Sequence, residues 1–109
     1  MARALERQII ETARALIADP ACWTQGEFAR DGDGNPASWK SPRATRFCIW
    51  GALHRAAYDL IGDHRQSVIM TDRAACALRA RGTSLSGDND RGTHADALAV
   101  LDMYLRRQA

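Results

Sequence analysis

The sequence predicts a mostly α-helical domain with one small β-hairpin: a compact four-helix arrangement around a central buried helix over residues 44–61, with the hairpin at about 27–40. Three observations predict it. Apolar residues recur at helical spacing in four segments of the chain. Two Asp-Gly steps, Asp31-Gly32 and Asp33-Gly34, lie between short aromatic-bearing runs. Pro20, Pro42, Gly62 and Gly82 punctuate the segments where helices should start or stop.

In the first segment, Leu5, Ile9, Ala13, Leu16 and Ile17 form one apolar stripe, with Arg3, Arg7, Glu11 and Arg14 opposite. That is an amphipathic helix over 4–18. Asp19-Pro20 stops it, because the residue before a proline is pushed out of the α region. Glu27–Arg30 and Ala37–Lys40 then read as two short strands on either side of the Asp-Gly turn. A lone two-stranded ribbon is marginal in water, so Trp23, Phe28 or Trp39 should seat it on the helices.

Ser41-Pro42 reads as the opening of the central helix, since proline suits a first-turn position. From Ala44 to Ile61, at about 100° per residue, Cys48, Arg55 and Asp59 share a polar sector, while Arg46 and His54 stand apart. A helix apolar over the rest of its circumference is enclosed by its neighbours. Gly51 within it implies a close contact, because glycine there is otherwise unfavourable by about 1 kcal/mol against alanine. A third helix over 66–81 follows from Ile69, Met70, Ala74, Ala77 and Leu78, with Gly82 ending it. Residues 82–92 read as a loop. Thr93 with Asp96 resembles a capping box, and the fourth helix carries Leu98, Leu101, Met103, Tyr104 and Leu105, with Arg106 and Arg107 suited to its C-terminal end.

A chain of 109 residues fits one globular domain spanning 1–109. Apolar content of 46% and charged content of 26% argue against disorder, and no apolar run approaches the ~20 residues of a membrane span. Arg3, Glu6, Arg7 and Glu11 interrupt the N-terminus where a signal peptide needs an apolar stretch, so a cytoplasmic location is expected. The net charge of +2 is near balance. Acids are interleaved with the arginines rather than leaving a basic stripe, which disfavours nucleic acid as a partner. Cys22, Cys48 and Cys76 are widely spaced and make no CxxC pair, so neither a disulfide framework nor a zinc knuckle is expected.

The loop Asp31-Gly32-Asp33-Gly34-Asn35 begins like a calcium loop, but Pro36 stands where an EF-hand requires glycine and no glutamate closes it. A tight turn accounts for it better. His54, His64 and His94 make no HxxxH or HExxH pairing, so no metal and no cofactor are expected. Cys48, His94 and Asp90 are the residue types of a thiol hydrolase, with Arg55 on the same helix stripe as Cys48 and able to favour a thiolate. Nothing in the spacing shows that these four meet. Trp23, Phe28, Trp39, Trp50 and Tyr58, with Arg30, Arg43 and Arg46 nearby, have the composition of a base-stacking platform. They equally suit the joint between hairpin and central helix, and no basic excess accompanies them.

Several residues in order, Trp23-x-x-Gly26, Ala29-Arg30-Asp31, Gly34, Phe47-Cys48-x-x-Gly51-Ala52-Leu53, Ala56-Ala57, Asn89-Asp90, Leu98 and Leu101-Asp102, carry a resemblance over nearly the whole chain. It is to a family of small bacterial and phage proteins, the domain of unknown function six-one-nine-seven. The resemblance implies a compact stand-alone domain and no activity. Asp88 stands where the family pattern has a tryptophan. Taken as residues, Asn89 and Asp90 are loop hydrogen-bonders able to satisfy backbone groups or cap a helix.

The function these readings favour is a non-catalytic protein-binding or regulatory module, including self-association as a homodimer. Trp23, Arg30 and Trp39 are the candidate contact residues, because aromatics and arginine dominate interface energetics. The alternatives are a small enzyme or ligand binder using Cys48, Arg55, Asp90 and His94, and a nucleic-acid-binding regulator of a mobile element.

Overall fold

The structure is a computed structural model that describes residues 2–78 and 85–107. Among the described residues it is mostly helical, with helices α1 (Ala2–Leu16), α2 (Ile49–Ile61), α3 (His64–Leu78), α4 (Leu85–Arg91) and α5 (His94–Arg107), and the two-residue strands β1 (Ala29–Arg30) and β2 (Arg46–Phe47). The expected stop of the third helix at Arg81-Gly82 lies outside the described residues, as does the side chain of Asp88. No helix of the described residues is long and apolar enough to cross a membrane.

The amphipathic first segment forms α1, which buries Ile9, Ile10 and Ala13 completely. Its polar edge is tied to α5: Arg14 donates to both oxygens of Asp102, at 2.8 and 3.3 Å, and Arg7 donates to the Leu105 carbonyl. The Arg14 guanidinium holds the Asp102 carboxyl below the usual carboxylate range. Asp19 then accepts from the Ala21 N–H and starts a short 3₁₀ turn, Pro20–Cys22.

The small sheet is where the structure departs from the expected hairpin. The Asp-Gly turn forms as predicted, closed by Asp31 N–H to Asn35 O (2.9 Å) and Gly34 N–H to Asp31 O (3.0 Å). The returning run Ala37–Lys40 does not become a strand. Its contact with β1 stops at a bridge between Arg30 and Pro36 and one bond from Ala37 N–H to Ala29 O. Pro36 has no N–H to continue a ladder, and the chain turns away at once through Ser41 N–H to Ser38 O. The antiparallel partner of β1 is instead β2, in the register Ala29↔Phe47 and Arg30↔Arg46.

That pairing also shortens the central helix. Residues 44–48 are not its first turn, and Ser41-Pro42 does not open it. The Thr45-Arg46-Phe47 run, β-branched and aromatic, is drawn into the sheet, and α2 starts only at Ile49 after an extended Cys48. From there the helix is the hub that its composition implies. Ile49, Gly51, Ala52, Leu53, His54, Ala56 and Ala57 are all buried, and α2 packs on α1, α3, α4 and β2. Gly62, at φ +80°, ends it by donating to the Tyr58 carbonyl.

Helix α3, capped by Asp63, turns a face of small residues inward: Ser67, Thr71, Ala74 and Ala75 are buried, whereas the expected contact residue Ile69 is 46% exposed. The hydroxyls cause no penalty there, because Ser67 and Thr71 donate to the carbonyls of His64 and Ser67 within their own helix. Short side chains on this face let α3 approach α1 and α2 closely. The capping box at Thr93 forms as expected, with reciprocal bonds between Thr93 and Asp96 of 3.0 and 3.1 Å. Helix α5 then buries Ala97, Leu101 and Tyr104. The remaining difference is α4: most of the expected 82–92 loop is a short helix, and its anchoring explains the site.

Candidate functional site

Four sections of chain meet at the N-terminus of α2: the segment 23–28, Cys48, the first turn of α2, and α4. Asn89, 2% exposed, joins them. Its Oδ1 accepts from the Trp23 indole N–H at 2.8 Å and from the Ile49 N–H at 3.1 Å, and its Nδ2 donates to the Thr24 carbonyl at 3.1 Å. An isolated helix end leaves such N–H groups without partners, so Asn89 caps α2 from a part of the chain 40 residues away. Gln25 Nε2 in turn donates to the carbonyls of Asn89, Asp90 and Gly92 at the end of α4. The Gly26 N–H donates to the Asp90 carboxylate at 2.9 Å. The seven-residue α4 is rich in Gly, Asp and Asn, and it owes its existence to these bonds and to the buried Leu85 rather than to helix propensity.

Cys48 is the N-cap residue of α2, its Sγ accepting from the Gly51 N–H at 3.3 Å. Burial pushes the thiol pKa up, with the Asp90 charge acting in the same direction, and the hydrogen bonds received from the helix turn offset this only in part. The sulfur is therefore held as a protonated thiol near neutral pH. Cys48 and Asp90, with Gly26, Glu27 and Phe28, line a concavity of about 70 Å³. Arg55 and His94 do not line it. Arg55 donates to the Asp59 carboxylate and to the carbonyls of Trp39 and Ser41, with its guanidinium 5.8 Å from the Phe47 ring. His94 places Nε2 2.6 Å from the Ile17 carbonyl and packs its ring on Trp23 at 5.6 Å. Of the four thiol-hydrolase candidates, the structure thus brings Cys48 and Asp90 together and leaves Arg55 and His94 elsewhere. Among the described residues, no three His, Cys, Asp or Glu side chains are grouped to hold a metal ion.

The three expected contact residues differ in what they do. Trp23 is half-buried and held by Asn89. Arg30 donates to Thr24 Oγ1, Gln25 O and Gly34 O, bracing the Asp-Gly turn. Trp39 lines an open cleft of about 300 Å³ together with Gly26, Glu27, Phe28, Ala37 and Ser38. The aromatic pattern groups Phe28 with Trp39, but nothing in the sequence places Glu27 with them in a cleft. The signal available was Gly26 two residues before Phe28, marking a sharp turn that could turn a large apolar side chain outward.

The cleft walls are fixed by stacked rings. Trp39 stacks on His54 (centroids 4.8 Å, planes 25° apart) and on His64 (5.8 Å, 7°), and meets Tyr58 edge-on at 5.8 Å. Phe28 stacks on the same His54 at 6.3 Å, yet is 45% exposed. His54 itself is 8% exposed, and its Nδ1 has no hydrogen-bond partner. Burial lowers its pKa below the ordinary 6.5, against a pull upward from Asp72 and with a further push downward from His64.

The unfolded chain therefore takes up a proton at His54 that the folded chain resists. Stability present above pH 6.5 is expected to be lost as pH falls through that value toward the lower folded pKa. His54→Phe, which removes the orphaned nitrogen while keeping a ring, should flatten this part of the pH profile and leave stability at neutral pH equal or higher. Urea midpoints at neutral and mildly acidic pH measure both; an unchanged acid limb in the variant would place the titration elsewhere.

No curated protein and no solved structure matches the chain. The sequence model of the family of unknown function DUF6197 matches residues 1–109, the whole chain. The chain belongs to the DUF6197 family.

Proposed function

We propose that the chain is a cytoplasmic protein-binding module that engages its partner through the face formed by residues 26–28 and 37–39. The observation that carries this reading is Phe28, a large apolar side chain left 45% exposed beside a cleft walled by Trp39. Exposed aromatics set around a preformed hollow are the usual anchors of an interface, because they bury much area and lose little side-chain entropy. The 300 Å³ cleft has the size of a side-chain or small-ligand pocket, whereas the 70 Å³ hollow at Cys48 holds only a few waters. That difference favours the binding reading over a ligand-processing one.

A photo-crosslinking amino acid placed at Phe28, with Leu60 and Met103 as exposed controls (45% and 54%), tests this in living cells. A discrete adduct at position 28 that is weak or missing at the controls supports the proposal. An adduct of twice the chain mass identifies the partner as a second copy. No adduct at 28, or the same adducts at all three positions, refutes the proposed face.

A further inference from the structure

We infer that residues 37–41 form a pH-sensitive strap, which neutral His54 holds shut through Trp39 and which a proton on His54 releases, removing one wall of the cleft. The device belongs to the isolated chain and stands whatever the cleft receives. Three observations carry it. The first is the surroundings of His54. Its ring lies among those of Trp39 (4.8 Å), Trp50 (5.4 Å) and Phe28 (6.3 Å), it is 8% exposed, and its Nδ1 has no hydrogen-bond partner. An imidazolium carries an N–H on both ring nitrogens. Protonation therefore puts a charge, and a donor without an acceptor, into this enclosed place. The ring faces offset part of that cost by cation–π attraction, but they do not replace the hydration that the ion loses.

The second is which of these walls can move. Trp50 belongs to α2 itself, and the Phe28 backbone is pinned by the Cys48 N–H on its carbonyl and by the entry of Ala29 into the sheet. Trp39 instead sits on a segment without helix or strand, in which no residue from 37 to 43 is buried. The segment is tied down by Ala37 N–H to Ala29 O and by Arg55 Nη1 to the carbonyls of Trp39 and Ser41. It is anchored on both sides, by the Asp31–Asn35 turn before it and the buried Ala44 after it, so it can lift as a loop while the helices stay in place.

The third is the charge around His54. Asp72 and His64, both on α3, act on it: Asp72 favours the imidazolium, and His64, stacked on Trp39 at 5.8 Å, opposes it. Burial outweighs Asp72 and keeps the pKa of the closed form below the ordinary 6.5. The other nearby charges are engaged elsewhere. Arg55 bonds Asp59 and the strap carbonyls, and the Lys40 ammonium lies 5.8 Å from the Tyr58 ring. Glu27 belongs to the cleft lining and Asp90 of α4 to the Cys48 hollow. Arg46 of β2 donates to the Gly32 carbonyl, and the side chains that α1 buries are apolar. Lifting the strap hydrates His54 and restores its ordinary affinity for a proton. The closed form is therefore favoured above pH 6.5 and loses ground as pH falls below it.

Lys40 is the sole lysine of the chain, so lysyl endopeptidase cuts it only in the strap. The cleavage rate of the whole chain, divided by that of a free peptide of residues 36–45 at the same pH, follows the population of the open strap. Between about pH 7.5 and about pH 5.5 this ratio should rise by up to about tenfold, the factor for a group that titrates at 6.5 when open and stays neutral when closed. Far-UV circular dichroism and amide protection in α1 should not change over the same range. His54→Phe should abolish the rise. Trp39→Ala tests the contact from the other side: it uncovers His54, whose pKa by NMR titration should climb toward 6.5. A flat ratio, a rise that persists in His54→Phe, loss of α1 protection over the same range, or a His54 pKa unmoved by Trp39→Ala overturns the inference. Crosslinking at position 28 is independent of all four outcomes, so the strap and the binding face stand or fall separately.

Discussion

Gly51→Ala is expected to unfold the domain or bring it close to unfolding, although alanine is the better helix former by about 1 kcal/mol. A Cβ at this position would lie 1.9 Å from the Phe28 carbonyl oxygen and 2.7 Å from the carbonyl carbon. Both are backbone atoms, so no rotamer change can relieve the clash. Nor is the Phe28 backbone free to withdraw. Its carbonyl accepts from the Cys48 N–H at 3.2 Å, and the next residue, Ala29, enters the ladder opposite Phe47. Relief requires moving the small sheet off the first turn of α2, which would also disturb the Cys48 cap and the cleft. The loss should exceed about 3 kcal/mol, a large share of the roughly 5–15 kcal/mol that holds a domain together.

Gly32→Ala is the matched control, because nothing lies within 4 Å of a Cβ there. Urea unfolding followed by circular dichroism should show a normal midpoint for the control and a collapsed one for Gly51→Ala. A variant stabilised by its helix propensity would mean that the sheet does not sit where the structure places it.

Much of the architecture is legible in the sequence because it rests on local pattern. The stripe Ile9–Ala13–Ile17 identifies α1, and Thr93 with Asp96 marks the start of α5. Gly51 implies a close approach, and the composition of 49–61 shows that α2 is the hub. What is not legible depends on partners far apart in the chain. Nothing local tells Arg46-Phe47 to pair with Ala29-Arg30 rather than continue as the first turn of a helix, because an apolar run of that length fits either period. Pro36 did carry a warning, since it cannot continue a ladder, but its consequence depended on a better partner arriving from residue 46.

The site follows the same rule. The residue type of Asn89 suggests a capping role, while its partner Ile49 is invisible without the fold. Cys48 and Asp90 approach each other only because α4 is folded against segment 23–28. The cleft is still harder to foresee. Its lining includes Glu27, an acid that belongs to no motif, and its shape comes from a turn at Gly26 and rings stacked on a buried histidine. Pattern identifies helices, whereas cavities arise from how the loops are bonded to them.

That dependence on long-range bonds makes Asn89 the second position where one substitution should have a large effect. Asn89→Ala leaves the Trp23 indole N–H, the Ile49 N–H and the Thr24 carbonyl without their partner in a buried place. An orphaned buried group destabilises by about 1–3 kcal/mol, and the three are not additive, so a loss of about 3–5 kcal/mol is expected. Trp23→Phe removes only one of these donors and should lose about 1 kcal/mol.

Asn89→Asp separates acceptor from donor. The acceptor oxygen Oδ1 and both bonds it receives survive, but the ionised side chain cannot donate to the Thr24 carbonyl and lies beside the Asp90 carboxylate. Its pKa should therefore be raised, and the deficit relative to the parent chain should shrink as pH falls and the introduced carboxyl becomes a donor. Hydrogen exchange gives the local reading: in Asn89→Ala, protection should be lost first across Leu85–Arg91 and the first turn of α2, before α1 and α5 respond. Uniform loss of protection throughout the chain would show that Asn89 contributes only to global stability and does not join α4 to the helix start beside the cleft.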